Sequence, residues 1–181
     1  MKPLSLYQQV MGTTFGLLPF ALQQFHSLAG KHVLSGWVEV DGPATFPATC
    51  LAWCLGAPLD TQRGPIRFEL QAGATSEVWT RHFPGKTMES RLTLVGTRLV
   101  ERLGATRLAF ALNGGPEKLE MQLVRLHFLG VPCPRWLLPS IVAEETASAG
   151  RLHFRVQASL PLMGVVASYR GHLDVPAGEL P

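Results

Sequence analysis

Apolar and polar positions change rhythm once along this chain of 181 residues, close to residue 64. Before it the spacing is mostly helical. Leu4, Tyr7, Val10 and Met11 recur three or four apart and predict a short amphipathic helix that stops near Gly12. A second helix begins around Pro19, a residue favoured in a first turn, with Leu18, Leu22 and Phe25 as its apolar stripe and Gly30 placed to cap its end. A third runs from about Phe46 to Leu55, with Thr45 as its cap, Pro47 in its first turn and Gly56-Ala57-Pro58 as its stop. His32–Val40 is the one strand predicted in this region.

Beyond residue 64 the period is two. Ile66, Phe68 and Leu70 alternate with Arg67, Glu69 and Gln71, and the same pattern returns around Leu92, Leu108–Leu112, Leu119–Leu123 and Leu152–Ala158. Turn signals fall at Gly73, Pro84-Gly85, Gly96, Gly104, Asn113-Gly114, Gly150 and Gly164. Each strand then has one apolar and one polar face, as antiparallel strands half exposed to water do. The expectation is an α+β domain over residues 1–175. A strongly curved antiparallel sheet of about nine or ten strands forms a half-barrel, covered by two or three short helices from the N-terminal third. A cavity between sheet and helices follows from that curvature. Leu129–Pro139, with three prolines, reads as a surface connection carrying Trp136, and residues 176–181 read as a frayed tail.

Composition removes several classes of function. Hydrophobic residues make up 46% and charged residues 16%, so the chain has ample apolar surface for a core and is not a disordered segment. No apolar run is long enough to span a bilayer as a helix. The formal charge is +3, with arginines scattered one or two at a time rather than in a block, which argues against a nucleic-acid partner. Gln8-Gln9 and Thr13-Thr14 interrupt what would have to be the apolar run of a signal peptide. That feature and the three cysteines, Cys50, Cys54 and Cys133, suggest a reducing, cytoplasmic setting. Cys50 and Cys54 lie four apart on the third helix and are read as core residues. No metal site and no cofactor are expected. Phosphate-loop, dinucleotide, zinc-protease and serine-hydrolase motifs are all absent.

Fewer residues remain as candidates for chemistry. In a strand, Trp79, Arg81 and Phe83 share a face, which sets a guanidinium between two aromatic rings, an arrangement that can hold an anion or a planar group. Glu101-Arg102 places one charge on the apolar face, where it needs a partner, and Arg81 is the candidate. Glu144-Glu145 poses the same problem. Tyr169 shares a face with Val165, Ala167 and Leu173 and points inward. His26, on the second helix, is a candidate general base.

Many of these residues also carry a resemblance. Leu18-Pro19 leading to His26, Gly36-Trp37-Val38-Glu39-Val40, Trp79-Thr80-Arg81-His82-Phe83 with Ser90, and Glu101-Arg102-Leu103-Gly104 belong to it. So do Gly130-Val131-Pro132-Cys133-Pro134, Leu160-Pro161 with Gly164, and Tyr169-Arg170-Gly171-His172-Leu173. Together they resemble the bacterial family called domain of unknown function 4166. The resemblance implies no established activity. It implies association with a Rossmann-type reductase, to which members are often fused, and a shared polar cluster.

Three functions follow as expectations. The first is a non-enzymatic binding module for a hydrophobic or acidic-headed small molecule. Its ligand-binding residues would be Trp79, Arg81, Phe83, Glu101, Arg102 and Tyr169, with Glu101 or Glu144 holding an arginine in place. The second is a small-molecule isomerase, cyclase or hydrolase with His26 or Glu144 as base and Tyr169 as acid. The third is an accessory domain that docks on a separate reductase through Trp136.

Overall fold

Strands that are apolar on one face only must share an interior, and here they do so as a ring. The computed structural model describes residues 4–175, so the tail from Pro176 lies outside the described residues. Ring neighbours follow chain order and pair antiparallel. They are β1 (Gly30–Asp41), β2 (Gln62–Ala72), β3 (Ser76–Phe83), β4 (Lys86–Val95), β5 (Arg98–Leu103), β6 (Thr106–Gly114) and β7 (Lys118–Phe128). After the two-residue β8 (Val131–Pro132), which only extends β7, come β9 (Ser140–Ser148), β10 (Arg151–Leu160) and β11 (Gly164–Asp174). β11 returns to β1, and β7 joins β6 to β9.

The sheet is therefore a closed barrel of ten strands, not the open half-barrel expected from the sequence. Alternation reports which face of a strand is apolar and carries no information on whether the first and last strands meet. Closure satisfies the main-chain donors and acceptors that two long free edges would leave unpaired. Gly36 and Gly171 make the seam possible. A Cβ on Gly36 would stand 1.9 Å from the His172 carbonyl oxygen, and one on Gly171 would stand 2.0 Å from that of Trp37.

The helices occupy the two ends of the barrel instead of lining one face. α1 (Leu6–Met11) starts in a reciprocal cap between Ser5 and Gln8, continues through a 3₁₀ turn (Gly12–Leu17) and leads to α2 (Phe20–His26). Leu6, Tyr7, Leu22, Phe25 and His26 are buried, and α1 and α2 touch strands on opposite sides of the ring, β4 to β6 and β9 to β10. These two helices plug the end that carries the β2–β3 and β6–β7 turns, where Gln9 Nε2 donates to the Ala74 carbonyl at 2.6 Å.

α3 (Phe46–Leu55) lies across the other end. Its Thr45 cap donates to the Met163 carbonyl in the β10–β11 turn at 2.8 Å, and its Cys54 carbonyl accepts from Ala105 N in the β5–β6 turn at 3.3 Å. Those turns are nearly opposite one another on the ring, so the helix is a strap over a mouth. Cys50 is exposed and Cys54 half-buried, which overturns their reading as core residues. β7 and β9 pair only over Lys118–Glu120 and part towards the mouth, where the 129–139 connection fills the gap with a short 3₁₀ turn (Arg135–Leu137).

The glycine seam generates a stability prediction. Gly36→Ala or Gly171→Ala forces the β1–β11 pair apart and should cost about 2–4 kcal/mol, measured as a lowered urea midpoint. Gly115→Ala, whose Cβ would meet no atom within 4 Å, should change little. An unshifted midpoint for both seam variants would refute the role given to the seam.

Candidate functional site

Alternation along β3 sends Glu77, Trp79, Arg81 and Phe83 into the barrel, and β5 and β9 add Glu101 and Glu145. With His26 from α2 they form a charged cluster above the helical plug. Glu77, Arg81, Glu101, Glu145 and His26 are each less than a tenth exposed. Charge at that depth persists only when paired, and the contacts show the pairing. Arg81 faces Glu101 across 3.6 Å and donates to Ser90 Oγ at 3.1 Å. His26 Nε2 and Glu145 Oε2 share a hydrogen bond of 2.6 Å. Trp79 Nε1 donates to Glu77 Oε2 at 2.9 Å.

Aromatic rings enclose these pairs. The Arg81 guanidinium lies 5.1 Å from the Trp79 ring centre and 6.0 Å from that of Phe68. The second ring expected from the sequence was Phe83. Phe68 takes its place because it stands directly opposite Arg81 in the β2–β3 register, whereas Phe83 is two residues along the strand. Phe83 packs edge-on to Tyr169 instead, with centres 5.3 Å apart. Tyr7 stacks on His26 at 3.7 Å.

Burial determines the protonation of several of these groups. Desolvation pushes the Tyr7 hydroxyl well above its ordinary range, and nearby Glu145 adds to that. Desolvation also raises Tyr169, partly offset by Arg81. Both phenols are thus O–H donors at neutral pH. The Glu77 carboxyl is raised by burial, with His26 and the Trp79 indole pulling the other way. Among the described residues the buried Tyr7 hydroxyl and His26 Nδ1 have no hydrogen-bond partner.

Above this floor lies a cavity of about 300 Å³ that runs to the mouth. Leu92, Leu108, Met121, Phe154, Val156 and Val166 are among its apolar walls, and Leu51 and Leu55 of α3 form part of its roof. Trp79, Arg81, Glu101, Glu145 and Tyr169 are among the polar groups on its boundary. A side cavity of about 50 Å³ lies beside Phe25 and Phe68 and shares Trp79, Arg81, Glu145 and Tyr169 with it. His26 borders neither, so it reaches the cavity only through Glu145.

Two sequence candidates turn their charged ends away from the cavity, although Glu144 also borders it. Arg102 is exposed on the outer face, because the alternation that brings Glu101 in sends Arg102 out. Glu144 likewise turns its carboxylate outward to accept from Lys118 Nζ at 3.0 Å, so His26 pairs with Glu145 and not with Glu144. Glu77, Glu145 and Tyr7 went unassigned to the site. Parity with Trp79 marks Glu77 and parity with Ile141 and Ala143 marks Glu145. The meeting of Tyr7 with His26 has no local signal. Among the described residues no group of three or more His, Cys, Asp or Glu could hold a metal ion.

Comparison with known proteins is consistent with the resemblance read in the sequence. A model of the family described as Domain of unknown function (DUF4166) matches residues 18–173, most of the chain, and the chain belongs to that family. The match concerns this domain alone and bears on no reductase. No curated protein matches the chain. Among solved structures, the crystal structure of Rv2717c from M. tuberculosis is similar at a TM-score of 0.46 and 11% identity, covering 87% of this chain and 98% of that one. So loose a likeness carries nothing about function.

Two predictions follow from the floor. Arg81→Met leaves Glu101 buried without its cation and should cost about 3–5 kcal/mol in urea denaturation, while Arg81→Met with Glu101→Leu should recover much of that loss. A double variant no more stable than the single one contradicts the pairing. Because folding raises the Glu77 pKa, the folded state holds that proton more tightly. Its stabilising effect is present below the ordinary glutamate value and is lost as pH rises through the raised one. Glu77→Gln should therefore remain more nearly constant than the native chain as pH rises from 4 to 8, measured by urea midpoints. Parallel profiles would show that Glu77 does not titrate in this way.

Proposed function

We propose that this member of the DUF4166 family is a binding module for a small apolar molecule with an uncharged polar head, held in the barrel cavity. The observation that carries this reading is the cavity itself: apolar walls, one open end, and a short set of polar groups at the closed end. Ligand pockets have this construction. Its volume suits a compact ligand, at the lower end of the usual range of roughly 300–1,000 Å³.

Charge balance selects the head. Arg81 faces Glu101 and His26 faces Glu145, while Glu77 adds a third carboxyl group held by the Trp79 indole. That pairing leaves no cation of the floor free for a carboxylate, so the acidic head expected from the sequence gives way to a carbonyl or hydroxyl. Tyr169 is the natural anchor. The residue lines the cavity, and no hydrogen bond to its hydroxyl is present among the described residues. Arg81 supports the floor and is occupied by Glu101 and Ser90, so its removal perturbs folding as well as binding.

A second reading has its own observation, the Glu145–His26 pair. Glu145 faces the cavity and a buried imidazole supports it from behind, the arrangement of a general base with its orienting partner. In that reading the chain moves a proton on its ligand, with Glu145 as base in place of His26 or Glu144. Ligand extracted from the protein and returned to it in D₂O should then gain deuterium with the native chain and not with Glu145→Gln. Equal incorporation by both removes the enzyme reading.

Filling the cavity tests the binding module directly. Nile red, an uncharged apolar dye, should bind the native chain at about one per chain with a blue-shifted emission. Ala167→Phe, which adds a ring to the cavity wall, should lower its affinity at least tenfold while retaining the far-UV spectrum. Undiminished binding by a folded Ala167→Phe would place the dye outside the barrel and remove the proposal.

A further inference from the structure

The mouth of the barrel is an unusual surface. α3 contains no charged residue, FPATCLAWCL, and is apolar on both sides. Leu51 and Leu55 turn to the cavity, while Phe46 is 81% and Trp53 70% exposed on its outer side. A helix apolar all round belongs in an interior or against something that covers it. Trp136, 77% exposed in the 129–139 connection, and the fully exposed Leu162 of the β10–β11 turn stand at the same end. Three separate segments thus raise large apolar side chains around one opening.

Cations flank that opening without partners. On the outer face, Arg91, Arg102 and Arg107 stand directly opposite one another across β4, β5 and β6. Like charges so placed oppose folding, and none of the three arginines forms an ion pair among the described residues. Asp60 and Glu89 are exposed towards the same end, and neither forms an ion pair with these arginines among the described residues. Arg102 and Arg107 flank the turn whose Ala105 N–H holds the Cys54 carbonyl of α3, and the Ala105 carbonyl accepts from Leu129 N at 2.9 Å. Arg135 sits next to Trp136. The unpaired charge therefore lies beside the uncovered apolar groups.

We infer that this end of the barrel docks on an anionic lipid surface, with Phe46, Trp53, Trp136 and Leu162 at the headgroup level and the arginines on lipid phosphates. The inference deepens the binding-module reading and rests on it, since an apolar ligand dissolved in a bilayer would enter through this mouth. Tryptophan and arginine suit the boundary between headgroups and acyl chains. Apolar groups spread around a rim fit a flat, fluid surface that makes no demand for a matched shape.

The test uses the full chain and vesicles of phosphatidylglycerol with phosphatidylcholine, compared with phosphatidylcholine alone. The chain should sediment with the anionic vesicles at low salt, release at high salt, and blue-shift its tryptophan emission on binding. Trp53→Ser with Trp136→Ser, and Arg102→Glu with Arg107→Glu, should each weaken vesicle binding about tenfold or more. Both pairs should retain Nile red binding in solution, which shows that they fold and separates docking from the cavity. No sedimentation with anionic vesicles, or equal sedimentation by both variants, overturns the inference. In the first case an acidic protein surface becomes the occupant to seek. Loss of Nile red binding by the native chain, with vesicle binding intact, would count against the cavity reading alone.

Discussion

Closure of the ring governs what every other part of this molecule can do. Once β11 pairs with β1 along the Gly36–Gly171 seam, all inward side chains share one limited volume. Apolar residues fill that volume from the walls, and the helices are left the two ends. The plug from α1 to α2 brings Tyr7 and His26 against the inward residues of β3, β5 and β9. The strap of α3 covers the other end only in part. An open sheet with the same strands would have exposed the charged cluster to water and needed no such pairing.

Inside the closed ring electrostatics and packing constrain each other. Three carboxyl groups, a guanidinium and an imidazole have low exposure, and each has an ion-pair or hydrogen-bond partner. The cluster is close to self-sufficient, which is why it reads as a floor and not as a clamp for an ion. What it leaves available to a visitor is modest: the Tyr169 hydroxyl and the free lone pairs of Glu101 and Glu145. In the proposed binding module those groups would meet a hydrogen-bonding head and the walls would take up apolar bulk.

Much of this was legible before any coordinates. The period of two located the strands, and the proline and glycine signals around Phe46–Leu55 bounded α3. The shared face of Trp79 and Arg81, the inward Tyr169, and the pairing of Arg81 with Glu101 all follow from alternation and the cost of a lone buried charge. Arg102 and Glu144 turn their charges outward for a reason spacing alone hides: in an acidic or mixed doublet, strand parity must be counted from a secure neighbour, and both doublets follow turns or connections. Long-range meetings had no local trace. Neither the stack of Tyr7 on His26 nor the contact between Arg81 and Phe68 is encoded by spacing, because each depends on which strands become neighbours in the ring.

The central claim is that the floor is neutralised from within, so the cavity prefers an uncharged head. The most direct measurement is competition of 1-decanol and decanoate against Nile red at pH 7. These ligands share an apolar chain and differ in the charge of the head. The account predicts that decanol displaces the dye at a lower concentration than decanoate. Tighter binding of decanoate would mean that Arg81 has charge to spare, and displacement by neither would mean that the cavity is not the binding site.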